Sequence, residues 1–149
     1  MAQDPEYLYE LEFYDDPDTG RAPVYEWIQE LDPVLRRALG TGMREVLQRH
    51  GVEVCRGEWG KQLGDGLFEF RVRHDAEEIV RMFTSREPRP EHAHGKIALR
   101  VFGHAHGEKL LLLLGGYDKA EDPNDRREDR EIELARKRLT EYRARRRSS

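Results

Sequence analysis

Five consecutive leucines, Leu110–Leu114, constrain the fold more than any other feature of this sequence. Successive side chains of a β-strand point to opposite faces of its sheet, so leucine at every position predicts a central strand that is covered on both faces. The run is the longest uninterrupted apolar stretch of the chain and is far shorter than the ~20 apolar residues of a membrane-spanning helix. We therefore expect one domain, residues 1–149, built around this strand and without a membrane span.

Alternating apolar and polar residues predict further strands. Phe68, Phe70 and Val72 fall on one face of such a segment, and the charged residues between them fall on the other. Residues 86–95, which contain two prolines and two histidines, are interpreted as a loop or insertion. The predicted strands besides the leucine strand are Tyr7–Tyr14, Leu67–Arg73, Ile79–Phe83, which is the weakest, and Ile97–Phe102.

Two helices are expected between the first strand and residue 51. Pro23 is suited to the first turn of one helix, and Asp32 followed by Pro33 is suited to cap and begin the next. Gly51 is expected to end the second helix, and the two glycines at 40 and 42 to kink or break it. The apolar stripe of the first helix consists of Val24, Trp27, Ile28 and Leu31.

A last, highly charged helix is predicted after Pro123, Asn124 and Asp125 and up to about Arg145, with a frayed basic tail over residues 143–149. Its narrow apolar seam consists of Ile132, Ala135, Leu139 and Tyr142. The order of elements predicts an α+β fold. In that fold an N-terminal strand and a helical hairpin pack on a twisted, mainly antiparallel sheet that the C-terminal helix completes.

Charge is distributed unevenly along the chain, whose formal net charge is -4. Residues 1–33 hold ten acids and one base, whereas residues 34–149 hold 25 bases and 20 acids. A binding site for a polyanion must therefore be a local basic patch on the second segment. The acidic N-terminus does not resemble a signal peptide, and the single cysteine, Cys55, fits a reducing compartment, so we expect a cytoplasmic protein.

Several familiar chemistries lack their usual motifs, because the chain has no phosphate-binding glycine loop, paired cysteines, zinc-protease helix or nucleophile elbow. Two histidine pairs, His92 with His94 and His104 with His106, have a spacing found in some metal sites. No cysteine or clear acidic partner completes either pair. A metal-dependent hydrolase therefore ranks last among the alternatives, and we expect no metal or cofactor.

Strand parity brings basic residues together on the other side of the sheet. Arg71 and Arg100 both point away from the apolar face, and Lys119 has the parity of Tyr117 just beyond the leucine strand. Lys61 precedes the turn that leads into the strand of Arg71. Guanidinium and ammonium groups gathered in this way suit a phosphodiester. The alternative is that they are ordinary residues on the solvated face of an antiparallel sheet.

The motifs around these residues resemble one toxin family. Lys61–Arg71, with the letters KQLGDGLFEFR, is followed by LRVF at 99–102, by the leucine strand ending in GGYDK at 115–119, and by EIELA at 131–135. In this order the segments resemble the phage-derived HigB-like branch of the RelE/ParE toxin superfamily, over roughly residues 24–145. The resemblance implies a RelE-like fold and a metal-independent, ribosome-dependent mRNA endonuclease of a type II toxin–antitoxin system.

In such an enzyme the 2′-hydroxyl of the RNA attacks the adjacent phosphate, leaving a 2′,3′-cyclic phosphate and a 5′-hydroxyl. Carried over to this chain, Arg71 and Arg100 would bind the scissile phosphate, and Lys61 and Lys119 would act as base, acid or electrostatic support. Tyr117 would orient or stack on a base. Arg81 competes with Arg100 for the role of second arginine. Further contacts to RNA phosphates are assigned to Arg73, Arg81 and His104.

The resemblance also implies partners, namely mRNA on the ribosome and a cognate antitoxin, often a small helix-turn-helix protein. A second class of function remains open, because the same fold serves in the ParE branch as a gyrase inhibitor. In that case the chain would be a binding module for gyrase, an antitoxin or RNA without catalysis. A module that binds only protein has no need of Arg71, Arg100 and Lys119 together.

Overall fold

A computed structural model describes residues 8–83 and 96–148 of the chain. Its centre is a five-stranded sheet in the order β1-β5-β4-β3-β2. The pairs β2–β3, β3–β4 and β4–β5 are antiparallel, and β1 runs parallel to β5. The strands are β1 (Glu10–Phe13), β2 (Gly60–Gly64), β3 (Leu67–Val72), β4 (Leu99–His106) and β5 (Leu110–Asp118).

The leucine run forms the first part of β5, which lies between β1 and β4 and is covered on both faces. Leu111 and Leu113 belong to the core on one face, whereas Leu112 and Leu114 belong to the core on the other. All four are at most 1% exposed. The prediction of a central strand is therefore confirmed, and the α+β class with a mainly antiparallel sheet follows from the observed pairing.

Helices α1 (Pro23–Glu30) and α2 (Pro33–Gly42) form the predicted pair. The Asp32 side chain caps α2 by accepting a hydrogen bond from the backbone N–H of Val34 at 2.9 Å. The chain continues beyond α2 in a π-helical turn, Met43–Leu47, and the short α3, Gln48–His50. The helix is thus not interrupted at the two glycines, where a kink or break was expected. Its hydrogen-bonding pattern instead changes from α-helical to π-helical after Gly42. Gly42 packs so closely on β3 that an added Cβ would lie 3.2 Å from a methyl of Val72.

Residues 79–83 are helical, which corrects the predicted weak strand. They belong to α4, Ala76–Phe83. Asp75 begins this helix, since its carboxylate accepts the backbone N–H of Glu78 at 2.8 Å, as in a capping box. Short apolar runs do not by themselves distinguish a strand from a helix. In this segment the capping hydrogen bond at Asp75 favours the helix. The predicted loop at 86–95, including His92 and His94, lies outside the described residues.

The C-terminal helix α5, Asp125–Ser148, packs its predicted seam on the second face of the sheet. Its last turns are helical, whereas a frayed tail was expected from residue 143. Arg143 donates to the carbonyl of Asp65 at 3.1 Å, and Arg145 donates to the carboxylates of Asp15 and Glu141, so these turns are anchored. Among the described residues, no helix combines the length and apolar character needed to cross a membrane.

Candidate functional site

Three of the residues singled out from the sequence lie in one row across the sheet. Arg71 on β3 is the register partner of Arg100 on β4, and Arg100 is the register partner of Tyr117 on β5. Register partners on neighbouring strands point to the same face. The row lies on the face covered by α5, so the strand parity assigned to these side chains corresponds to one shared surface.

Glu69, which the sequence analysis did not select, lies between the two arginines. Its side chain is 0% exposed. The Nε of Arg71 donates to its Oε2 at 3.0 Å, and the Nε of Arg100 lies 3.4 Å from its Oε1. Burying an isolated carboxylate is costly, and two guanidiniums compensate its charge. The sequence contains one signal for Glu69. It lies two residues from Arg71 on the same strand, so both side chains point to the same face of the sheet.

The side chain of Arg100 is buried, with 5% of the residue exposed. Burial lowers its pKa, and the Glu69 carboxylate opposes that shift. Its Nη1 donates to the carbonyl of Leu99 at 3.4 Å. Arg100 is therefore not an ordinary residue on a solvated face of the sheet, which was the alternative. Strand parity predicts the face to which a side chain points, but it does not predict whether another element covers that face.

A cleft of about 750 Å³ opens beside Arg100, at the end of the sheet where β4 begins. Arg73, Lys96, Arg100 and Lys119 contribute four cationic side chains to its wall. Within residues 8–83 and 96–148, neither Arg73 nor Lys96 has an ion-pair partner, and both are exposed. The remaining lining residues are Asp75, Glu78, Ile97, Ala98, Ala120 and Pro123. We call this space the cationic cleft.

Lys119 and Tyr117 are more constrained than the sequence suggested. The Nζ of Lys119 donates to Oε2 of Glu128 at 3.0 Å. Tyr117 is 0% exposed and stacks on Phe102, with ring centroids 6.2 Å apart. A nucleotide base therefore cannot stack on Tyr117 in this structure. Burial, followed by the charge of Glu128, raises its pKa to about 12, so the phenol is neutral at physiological pH.

The other candidates lie outside the cationic cleft. Lys61 is exposed on the edge strand β2, as the register partner of Glu69. Arg81 is exposed in the last turn of α4, so it does not share the row of Arg71 and Arg100. His104 lies toward the other end of β4, where its Nδ1 is 2.8 Å from the carbonyl of Gly66 and burial lowers its pKa. No cluster of three potential metal ligands occurs among the described residues.

The chemistry of the cationic cleft must be inferred from its own side chains. No protein-family model, curated protein or solved structure matches the chain. Guanidinium groups bind phosphate oxygens through paired hydrogen bonds, and an ammonium group adds a compact charge. The carboxylate of Glu78, which is half exposed and lies 3.5 Å from Nδ1 of His74, adds a basic group. The cleft can therefore bind a phosphodiester and provide both an acidic and a basic group.

Proposed function

We propose that the protein is a RelE/ParE-like toxin with a RelE-like fold, a ribosome-dependent mRNA endonuclease whose reaction takes place in the cationic cleft. The observation that carries the proposal is the convergence of Arg73, Lys96, Arg100 and Lys119 on one cleft of about 750 Å³. The motif resemblance around Arg71, Arg100 and Lys119 supports it independently. A cognate antitoxin, acting on this cleft or on access to the ribosome, completes the proposal.

The proposed reaction is intramolecular in the RNA. The 2′-oxygen forms a bond to phosphorus while the bond from phosphorus to the 5′-oxygen breaks, leaving a 2′,3′-cyclic phosphate and a 5′-hydroxyl. Negative charge grows on the non-bridging oxygens, and the guanidiniums of Arg73 and Arg100 stabilise it. The Glu78 carboxylate is our candidate base for the 2′-hydroxyl proton, and the Lys119 ammonium is our candidate acid for the 5′-oxygen.

In this mechanism Arg71 acts through Glu69. Glu69 accepts a hydrogen bond from Arg71 and lies within ion-pair distance of Arg100, so its charge attracts the Arg100 guanidinium beside the cleft. A preorganised cation costs little reorganisation when charge develops in the transition state. Arg71 and Glu69 are thus positioning residues, whereas the exposed Arg73 and the partly buried Lys119 contact the substrate.

The test maps RNA 5′ ends after purified protein is added to a translating ribosome extract. The informative variant is Arg73→Gln/Lys119→Gln, because both side chains line the cleft and neither is fully buried. Its matched control is Arg37→Gln/Arg56→Gln, which removes the same charge from exposed positions outside the cleft. We expect new 5′ ends with the wild type and the control and at least a tenfold loss with the cleft variant. Equal cutting by both variants would disprove the site.

A second function, a binding module without catalysis, is favoured by one specific observation. The Lys119 ammonium is already paired with Glu128, and the Tyr117 phenol is buried. Two groups assigned to catalysis from the motifs are therefore already engaged within the protein. This module would bind gyrase, an antitoxin or RNA. It predicts no new 5′ ends in the extract from folded wild-type protein, together with retained binding to one of these partners.

A further inference from the structure

The sheet ends at β1, and part of this edge strand has backbone groups without partners. Successive residues of a strand direct their N–H and C=O groups to alternate sides. The N–H groups of Glu10 and Tyr14 donate to backbone carbonyls of β5 and of the residue before it, at 2.7 and 3.0 Å. The N–H and C=O groups of Leu11 and Phe13 therefore point away from β5, to the outside of the sheet.

The outward groups are bonded at one end of the strand and open at the other. The N–H of Tyr9 donates to the carbonyl of Gln48 at 3.0 Å, and its C=O accepts from the Gln48 side-chain amide at 3.2 Å. Within residues 8–83 and 96–148, the outward groups of Leu11 and Phe13 have no such partner. We call this open stretch the β1 edge. Unpaired groups of an edge strand are a template for another strand.

The side chains at the β1 edge are acidic on one face of the sheet and apolar on the other. Glu10 and Glu12 are exposed, and neither has an ion-pair partner in the part of the chain that the structure describes. Leu11 and Phe13 pack against the core on the opposite face. On that face Tyr25 of α1 is 50% exposed and meets Phe13 edge-on, with 5.6 Å between the ring centroids.

We propose that the β1 edge binds an extended segment of a partner protein in which basic and apolar side chains alternate. The segment adds a strand to the five-stranded sheet through main-chain hydrogen bonds to Leu11 and Phe13. Its basic side chains lie beside Glu10 and Glu12, and its apolar side chains lie on the face of Tyr25. The inference goes beyond the proposed function and does not rest on it.

The exposed carboxylates disfavour two other occupants. If a second copy of the chain paired its own β1 edge in antiparallel fashion, the outward residues of the two strands would oppose each other. Glu10 and Glu12 would then face the glutamates of the other copy, and like charges directly opposite each other destabilise a sheet. RNA is a polyanion and is repelled by the same carboxylates. A basic segment is attracted to them.

The experiment follows amide hydrogen exchange by NMR in the full-length protein, with and without a synthetic heptapeptide that alternates lysine and valine. Without peptide we expect fast exchange at Leu11 and Phe13 and slow exchange at Glu12 and Tyr14, which are bonded to β5. With peptide at about ten times its dissociation constant, exchange at Leu11 and Phe13 should slow about tenfold, since about a tenth of the protein remains free. The control peptide has glutamate in place of lysine and should give no protection.

A first pair of variants tests the main-chain contribution. Leu11→Pro removes an outward N–H and none of the donors that bond to β5, so the lysine–valine peptide should bind at least about tenfold more weakly. Leu11→Ala loses the same packing but retains the N–H, and should bind as the wild type does. Slow exchange at Glu12 and Tyr14 shows in each variant that β1 is intact.

A second pair of variants tests the charge and leaves the packing unchanged. Glu10→Gln/Glu12→Gln should weaken binding of the lysine–valine peptide about fivefold at low salt. The matched control is Glu121→Gln/Glu133→Gln, which removes the same charge from exposed positions on other elements and should leave the affinity unchanged.

Four outcomes would overturn the inference. They are no protection of Leu11 and Phe13 by the lysine–valine peptide, equal binding of the glutamate peptide, unchanged binding by Leu11→Pro with β1 intact, and protection without peptide that grows with protein concentration. The last outcome would assign the β1 edge to a second copy of the chain. Cleavage in the ribosome extract depends on the cationic cleft and is scored separately, so either proposal can fail without the other.

Discussion

Arg71 and Arg100 face each other across strands β3 and β4, and the carboxylate of Glu69 contacts both. Like charges directly opposite each other on a sheet destabilise it. Glu69 removes this penalty and is itself paired twice, so the three side chains depend on one another. The arrangement explains how two arginines coexist in a largely buried setting.

The first prediction concerns this triad. Glu69→Gln leaves the buried Arg100 beside Arg71 without a counter-charge, and breaking a buried ion pair from one side costs about 3 to 5 kcal/mol. We expect a loss of about 3 kcal/mol in the free energy of unfolding, measured by urea denaturation with tryptophan fluorescence.

The matched control for Glu69→Gln is Glu53→Gln. Glu53 pairs with Arg56 on the surface, where the two side chains are 54% and 83% exposed. Exposed pairs contribute little, so this variant should remain within about 0.5 kcal/mol of the wild type. Equal effects of the two substitutions would mean that the Glu69 carboxylate is not an essential counter-charge.

The second prediction tests the start of α4. Asp75→Ala removes the side-chain oxygen that caps the Glu78 N–H, and loss of such a cap costs about 1 kcal/mol. Asp75→Asn retains a capping oxygen and should lie within about 0.5 kcal/mol of the wild type. Thermal unfolding of the three proteins checks this. A loss as large for asparagine as for alanine would assign the effect to charge rather than to capping.

The sequence predicted those parts of the fold that depend on local patterns. The leucine strand, the cap at Asp32 and the seam of α5 follow from periodicity and turn chemistry, and the structure contains each of them. The residues at 79–83 were assigned wrongly because five apolar-rich positions fit both periods, and the deciding contact is the cap at Asp75.

The members of the candidate site were predictable only in part, because Arg73, Arg100 and Lys119 were selected from the sequence, whereas Lys96, Glu69 and Glu78 were not. Parity places Arg71, Arg100 and Tyr117 on one face, and the register agrees. Helix α5 covers this face and buries Tyr117 and Glu69. This packing depends on tertiary structure, and the local sequence contains no signal for it. The pairing of Lys119 with Glu128, nine residues away along the chain, has the same origin.

The third prediction concerns that pair. Glu128→Gln removes the carboxylate that holds the Lys119 ammonium, so the full charge of Lys119 becomes available in the cationic cleft. We expect RNA to bind at least threefold more tightly by anisotropy, with a steeper dependence on salt. Glu133→Gln, an equal charge change at an exposed position of α5, is the control. The same gain in both variants would show that net charge, not release of Lys119, is responsible.

The last prediction is a pH dependence that originates at Tyr117. Burial raises the pKa of its phenol from 10.0 to about 12 in the folded protein. Above pH 10 the unfolded chain therefore loses this proton while the folded protein retains it, so stability falls as the pH rises from about 10 to about 12. Tyr14 and Tyr142, whose pKa values are also raised by burial, contribute in the same direction.

Tyr117→Phe removes one of these three contributions and should flatten the decline in the thermal midpoint between pH 9 and 12. At pH 7 it leaves no buried hydroxyl without a partner at this position, so its stability there should equal or exceed that of the wild type. The matched control is Tyr25→Phe at an exposed position, for which the wild-type decline should persist. A Tyr117→Phe curve parallel to that of the wild type would contradict the assignment.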